Sequence, residues 1–250
     1  IRPAPPTRRH PPEQSTEMKP AAAVIFDMDG VLVDSEAHHE RAFLDTVAAL
    51  GYRDRHGLTH ADYLGRSDRE MWQDFITRNH APYSLDTLRA LKCDRVVAIL
   101  RRERPLFPGA FELVENLAVQ YPLALASGSE RPVVDTVLQL RGIGRFFRVT
   151  LSAAEVERGK PAPDTFLRAA EQLAVAPEDC WVIEDSKPGI VAALAAGMKV
   201  IAITNTHPAD ELTAATHVVR DYATIEQILL PASGPVPQPT IGKPKDDSVR

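Results

Sequence analysis

The sequence predicts an α/β fold: a doubly wound parallel sheet with an inserted α-helical cap. Three observations predict it. Short apolar runs recur along the chain, each cut off by polar residues, as buried strands are. Helical periodicities fill most of the intervals, and strands alternating with helices make a parallel sheet covered on both faces. One long block, between the first run and the second, carries helical patterns alone.

The first strand is Ala21-Ala22-Ala23-Val24-Ile25-Phe26. Further strands are Leu123 to Ala126, Val149 to Leu151, Trp181 to Ile183 and Val200 to Ile203, with a weak one at Val218 and Val219. Val133, Val134, Val137 and Leu138 share one helix face, as do Phe166, Leu167, Ala170 and Leu173. Ala192, Ala193, Ala195 and Ala196 form a small-residue helix suited to close packing on a sheet, and Gly197 suits its C-terminal cap. A last helix lies near Ile225 to Leu229.

The helical block runs from Ser35 to about Arg104. Phe43, Leu44, Val47 and Leu50 mark one amphipathic helix. Ser67 and Glu70 make a capping box ahead of Met71, Trp72, Phe75 and Ile76. Leu88, Leu91, Val96, Ile99 and Leu100 mark a third helix. Pro105 and Pro108-Gly109 punctuate the exit. The expected division is a Rossmann-like core over residues 20–34 and 105–230 and a cap over 35–104. Residues 1–19 read as a disordered, Pro-rich extension, with Met18 as one candidate initiator. Residues 231–250 read as a flexible tail.

Composition narrows the function. The chain has 250 residues, 44% hydrophobic and 25% charged, which suits a globular protein with a sizeable core. Its net charge of −5 and its lack of a dense Lys/Arg block argue against a nucleic-acid partner. No apolar run reaches the roughly 20 residues that cross a bilayer, so no membrane partner is expected. The N-terminus lacks the apolar stretch of a secretory signal. Cys93 and Cys180 lie far apart, consistent with a reduced, cytoplasmic chain.

The polar residues fall at strand ends. Asp27 and Asp29 follow the first strand, Ser127, Gly128 and Ser129 the second, and Glu184, Asp185 and Ser186 the fourth. In a parallel sheet the carboxyl ends share one edge, and ligands bind in the crevice outside it. Three clusters distant in sequence should therefore converge. Taken alone, Asp27-Met28-Asp29-Gly30 is a loop turn. Side chains two apart on an extended chain point the same way, however, so two carboxylates face one small volume. With Glu184 and Asp185 beside them, a cation is needed. Mg²⁺ prefers such oxygen ligands. Lys160, in a Pro-rich loop, is the candidate to offset the charge of a bound phosphate, against its reading as a solvated lysine. Ser127 supplies a hydroxyl, and Gly128 permits close backbone approach to phosphate. Capping of the next helix by Ser127 or Ser129 is the structural alternative.

At these residues the sequence resembles the haloacid dehalogenase-like hydrolase superfamily. The motifs are Phe26 to Ser35, Ser127, Lys160 within Lys-Pro-Ala-Pro-Asp, and Glu184-Asp185-Ser186. The likeness spans roughly Ala21 to Leu230. The helical block and the Asp-Ser-Glu-x-x-His run at Asp34 to His39 resemble the branch of phosphoglycolate phosphatases and β-phosphoglucomutase. The resemblance implies Asp27 as nucleophile and Asp29 as acid and base. It implies Mg²⁺ held by Asp27, the Asp29 backbone carbonyl and Asp185, with Glu184 beside it. Ser127 and Lys160 would bind the phosphoryl oxygens. Glu36, His39 and Arg66 are the expected cap contacts to substrate. His39 is preferred to His38, and Trp72 is read as cap core.

The function so implied is a phosphatase acting on a small phosphorylated metabolite, a sugar phosphate first of all. A monomer is expected, since the cap covers its own site. A sugar phosphomutase is the alternative. Leu64, where the mutase has a lysine, and Asp68, where it has an arginine, weigh against it. Dehalogenation leaves Asp29 and the Glu184-Asp185 pair without a task. A non-catalytic relative typically loses a catalytic residue, and here the set is complete.

Overall fold

The computed structural model describes residues 21–63 and 68–230. Expectations for 1–19 and 231–250, and those resting on Ser67 and Arg66, lie outside the described residues. The chain begins with β1 (Ala23–Phe26), followed by α1 (Glu36–Ala49), α2 (Asp68–Asn79) and α3 (Leu85–Glu103). Next come α4 (Ala110–Ala118), β2 (Leu123–Ala126), α5 (Arg131–Gln139), β3 (Phe147–Leu151) and α6 (Asp164–Leu173). The chain continues through β4 (Cys180–Glu184), α7 (Lys187–Ala195), β5 (Lys199–Ile203), β6 (His217–Val219) and α8 (Tyr222–Leu229).

The strands form one six-stranded sheet in the order β3-β2-β1-β4-β5-β6, parallel throughout. Sequence order runs outward from β1 on one side and from β4 on the other. The reversal between β1 and β4 opens a crevice at their carboxyl ends, where open α/β sheets bind ligands. The four central strands, β2, β1, β4 and β5, are buried on both faces, which is why they read as apolar runs. Val24 and Phe26 of β1 pack into one layer with Leu113 and Val114 of α4, Val134 of α5 and Ile225 of α8. Ala23 and Ile25 pack into the other with Phe166 of α6 and Ala192 and Ala193 of α7. The small side chains of α7 bring its backbone close to the sheet.

Helix α4 is an addition to the elements the sequence predicts. Gly109, at φ 87°, is its N-cap, so the Pro108-Gly109 pair starts a helix there. Leu44 and Leu167, assigned to buried faces, are exposed. Each stands one position off the true stripe, at Phe43 and Val47 in α1 and at Phe166 and Ala170 in α6.

Helices α1, α2 and α3 surround a cluster of their own, with Phe43, Val47, Met71, Trp72, Phe75 and Leu88 at its centre. Trp72 is fully buried there, its ring centroid 5.2 Å from that of Phe43 and 5.5 Å from that of Phe75. Further along α3, Val96, Ile99 and Leu100 pack into the β-sheet core instead. One helix thus ties the insert to the sheet. No helix among the described residues is long and apolar enough to cross a membrane. Cys93 and Cys180 are both buried free thiols.

Candidate active site

The polar segments after β1, β2 and β4 meet at one edge of the sheet. The backbone N–H of Asp27 donates to the Ile183 carbonyl at 2.9 Å, carrying the strand pairing one residue past β1. The chain then turns sharply, with Leu32 N–H donating to the Met28 carbonyl at 2.8 Å and Gly30 N–H to the Val33 carbonyl at 2.8 Å. Gly30 sits at φ 78°, and a Cβ there would lie 1.9 Å from Asp185 Oδ2. Only glycine fits this position.

Two carboxylates two residues apart end up in opposite surroundings. The Asp29 carboxylate accepts hydrogen bonds from Ser35 Oγ at 2.5 Å and Ser129 Oγ at 2.8 Å, with Ser127 Oγ at 3.5 Å. His39 Nε2 stands 3.4 Å from Asp29 Oδ1 and makes no hydrogen bond. Burial alone would raise the Asp29 carboxyl. The His39 ring and the serine hydroxyls outweigh it and hold the group well below the usual carboxylate range.

Asp27 instead faces other acids. Lys160 Nζ donates to Asp27 Oδ1 at 2.5 Å and to Glu184 Oε1 at 2.6 Å. Burial pushes the Asp27 carboxyl up to about 7; Lys160 pulls it down while Glu184 and Asp29 add to the rise. Burial, Glu184 and Asp27 together push Asp185 well above its ordinary value. Lys160 would be lowered by burial, yet its two carboxylate partners raise it. It is an ammonium.

Asp27, Glu184 and Asp185 offer oxygens that all lie within 4.8 Å of one another. Three buried acids share one ammonium, and the donors are all hard oxygens. This set fits a divalent cation such as Mg²⁺. The Asp29 carboxylate stands outside that group, turned toward the hydroxyls. The resemblance gives it a metal contact through its backbone carbonyl, which is compatible with that turn.

Glu184 is fixed from every side. Its Oε2 accepts from the backbone N–H groups of Asp185 and Ser186, each at 2.7 Å, and from Ser186 Oγ at 2.9 Å. A Cβ on Gly189, in the first turn of α7, would lie 1.6 Å from Glu184 Oε1. Gly189→Ala is therefore expected to destabilise the fold by about 2 kcal/mol or more, through overpacking around a fixed buried carboxylate. Chemical denaturation of the variant against the native chain measures it; an unchanged midpoint would show that α7 moves aside freely.

A cavity of about 100 Å³ opens over these groups. Asp27, Asp29, Gly128, Ser129, Lys160 and Asp185 line its sheet side. Glu36, His39, Tyr63, Asp68, Lys92 and Cys93 are among those lining the insert side. Of the residues expected at the site, Ser127 is buried behind the wall, its Oγ accepting from Ser129 N–H at 3.0 Å. Neither serine caps α5, whose N-cap is Glu130, with no side-chain capping bond. A Cβ on Gly128 would meet open space, so nothing protein-borne crowds that turn. Glu36 faces the cavity, and burial together with Asp29 raises its carboxyl. His38 turns away, with Nε2 2.7 Å from Glu103 Oε2. Arg66 lies outside the described residues.

Several site residues escape the sequence reading. Thr206 Oγ1 donates to Asp185 Oδ2, and His207 Nδ1 lies 3.1 Å from the Asp185 carbonyl. Asn205 Nδ2 donates to the Gly30 carbonyl at 2.8 Å, and Tyr222 Oη donates to the Val31 carbonyl at 2.8 Å. Asn205, Thr206 and His207 lie two to four residues past the end of β5, so the strand-end rule that found the other clusters would have found them. Lys92 and Asp68 carry no comparable signal.

Residues 21–197 match the family model of the haloacid dehalogenase-like hydrolases. The chain belongs to that family. Fructose-1-phosphate phosphatase YqaB of Escherichia coli (strain K12) is 32% identical over 181 residues, 72% of this chain and 95% of the relative. Hexitol phosphatase B of the same organism is 34% identical over 185 residues, 72% of this chain and 82% of the relative. Among solved structures, CbbY from Rhodobacter sphaeroides in complex with xylulose-(1,5)bisphosphate aligns with a TM-score of 0.73 at 28% identity, covering 81% of this chain and 95% of that one. The family's hydrolase chemistry thus has its counterpart in the acids gathered at the sheet edge.

Proposed function

We propose that this hydrolase is a Mg²⁺-dependent phosphatase that cleaves a small phosphate monoester, a sugar phosphate first of all, through an aspartyl-phosphate intermediate. The observation that carries the reading is the contrast between Asp27 and Asp29. One acid sits against an ammonium in a cluster fit for a cation, the other among hydroxyls, and such paired carboxylates with divergent surroundings divide the work of nucleophile and acid–base. The names of the sugar- and hexitol-phosphatase relatives support the phosphate ester.

Asp27 Oδ attacks phosphorus, and the bond to the ester oxygen breaks. Asp29 protonates that oxygen, then takes a proton from the water that hydrolyses the acyl phosphate. It stands ionised here, ready for the second task. An incoming phosphate dianion raises its affinity for a proton, as the first task requires. Lys160 and the backbone around Gly128 hold the phosphoryl oxygens. Asp27, Asp185 and the Asp29 carbonyl would hold Mg²⁺, with Glu184 beside them, and the bound cation would neutralise charge on the carboxylates and the phosphate.

The test is inorganic phosphate release from a panel of sugar monophosphates, with Mg²⁺ and with excess chelator. Release should fall to background in chelator and return when Mg²⁺ is restored. Chelator-resistant release would remove the metal from the mechanism. A panel with no substrate at all would remove the phosphatase.

A further inference from the structure

The turn after β1 is tied down by residues far along the chain. Thr204 N–H donates to the Val219 carbonyl at 3.0 Å, carrying the pairing of β5 with β6 one residue past β5. The next two side chains leave that anchored strand end. Asn205 Nδ2 donates to the Gly30 carbonyl at 2.8 Å and to Tyr222 Oη at 2.9 Å, so both amide hydrogens are used. Tyr222, the first residue of α8, gives its own hydroxyl hydrogen to the Val31 carbonyl at 2.8 Å. Thr206 Oγ1 donates to Asp185 Oδ2. The turn and the carboxylate so held are packed together: a Cβ on Gly30 would lie 1.9 Å from that same Asp185 oxygen and 2.9 Å from Thr206 Cγ2. Asn205, Thr206 and Tyr222 do not line the cavity over the acids, so each acts through the groups it holds.

We propose that Asn205 and Thr206, braced by Tyr222, are positioning residues that set the affinity of the site for Mg²⁺. This inference rests on the reading of Asp27, Asp185 and the Asp29 carbonyl as the groups that would hold the cation. The Asp29–Gly30 peptide is trans, so its carbonyl points opposite the Gly30 N–H, which is spent on the Val33 carbonyl at 2.8 Å. Asn205 holds the next carbonyl, on the far side of Gly30. With both flanking peptides pinned, the conformational freedom of a glycine at φ 78° is removed before any cation arrives. Thr206 does the same for the Asp185 carboxylate, whose rotation it stops. Groups that must be ordered on binding weaken it, and groups already ordered do not. Hydrogen-bond partners behind the ligands of a metal act in this way.

The test is calorimetric titration of the metal-free protein with Mg²⁺, without substrate. Thr206→Val and Asn205→Leu keep the side-chain size and remove the donors. Each should raise the Mg²⁺ dissociation constant by about tenfold or more, the scale for partners behind metal ligands. Tyr222→Phe should raise it by a smaller factor, since Asn205 still reaches Gly30. The control is Tyr121, whose Oη donates to the Leu229 carbonyl at 2.6 Å and tethers the other end of α8. Tyr121→Phe removes the same kind of bond away from the site and should leave the constant unchanged. A native constant in folded Thr206→Val or Asn205→Leu overturns the inference and leaves the phosphatase reading standing. So does a rise in Tyr121→Phe equal to theirs, which would make these residues supports of the fold alone. If Asn205→Leu fails to fold, by circular dichroism, Tyr222→Phe decides for the turn, since its constant must move the same way. A native chain that takes up no Mg²⁺ overturns the metal reading, and this inference with it.

Discussion

Replacing Asp27 by asparagine should lower kcat for phosphate release by about 10⁴-fold or more, with KM little changed. The amide has the shape of the carboxylate and keeps an oxygen for Lys160, which stands 2.5 Å from Oδ1. What it lacks is the anionic nucleophile. Binding groups elsewhere in the cavity stay in place, so the loss belongs to the chemical step. Stability should move the other way. Burial and the neighbouring acids Glu184 and Asp29 disfavour the charge on Asp27, so a neutral amide relieves repulsion in the metal-free protein. The thermal midpoint of Asp27→Asn in chelator should therefore equal or exceed that of the native chain. Activity lost together with stability would indicate a damaged fold and leave the nucleophile undecided, whereas activity retained would remove Asp27 from the chemistry.

The four central strands were readable because they are buried on both faces, and an apolar run needs no phase to be seen. The same economy located the acids, since residues directly after a strand must lie on the shared edge. Helix registers were less secure. Leu44 and Leu167 satisfy an apolar periodicity as well as their buried neighbours do, and only packing against a partner decides which position turns inward. Lys92 marks the limit more sharply. It occupies a core position of α3, where an aliphatic residue is expected, and only the fold brings Asp68 and His39 to it across 24 and 53 residues of sequence. Thr206 and His207 are different, because they follow a predicted strand and lacked only a reason to be counted. Tyr222 acts on a backbone carbonyl, a role that leaves no motif.

Lys160→Met should cost both activity and stability, and the two losses have one cause. The side chains are similar in length, so the methionine fills the space while removing the charge. Glu184, fully buried, and Asp27 then lose the ammonium that each contacts within 2.6 Å. Breaking a buried pair from one side typically costs about 3–5 kcal/mol. In chelator the deficit should depend on pH in a definite direction. Asp27 and Asp185 have carboxyls raised above their ordinary values, so the folded state binds protons more tightly than the unfolded one. Stability then falls as pH rises from the ordinary carboxylate range of about 4 toward 7. Removing Lys160 takes away a force that lowers both carboxyls, so the fall should steepen and extend to higher pH. Mg²⁺ bound to the ionised carboxylates should recover much of the stability. It should not recover the activity. The phosphoryl oxygens still lack the Lys160 donor, and kcat/KM should stay down by about 10³-fold, the scale of one lost charged donor in a water-poor site. Thermal unfolding across pH, with and without Mg²⁺, separates the two effects. Full rescue of kcat/KM by the metal alone would make Lys160 a structural counter-charge and take it out of phosphate binding.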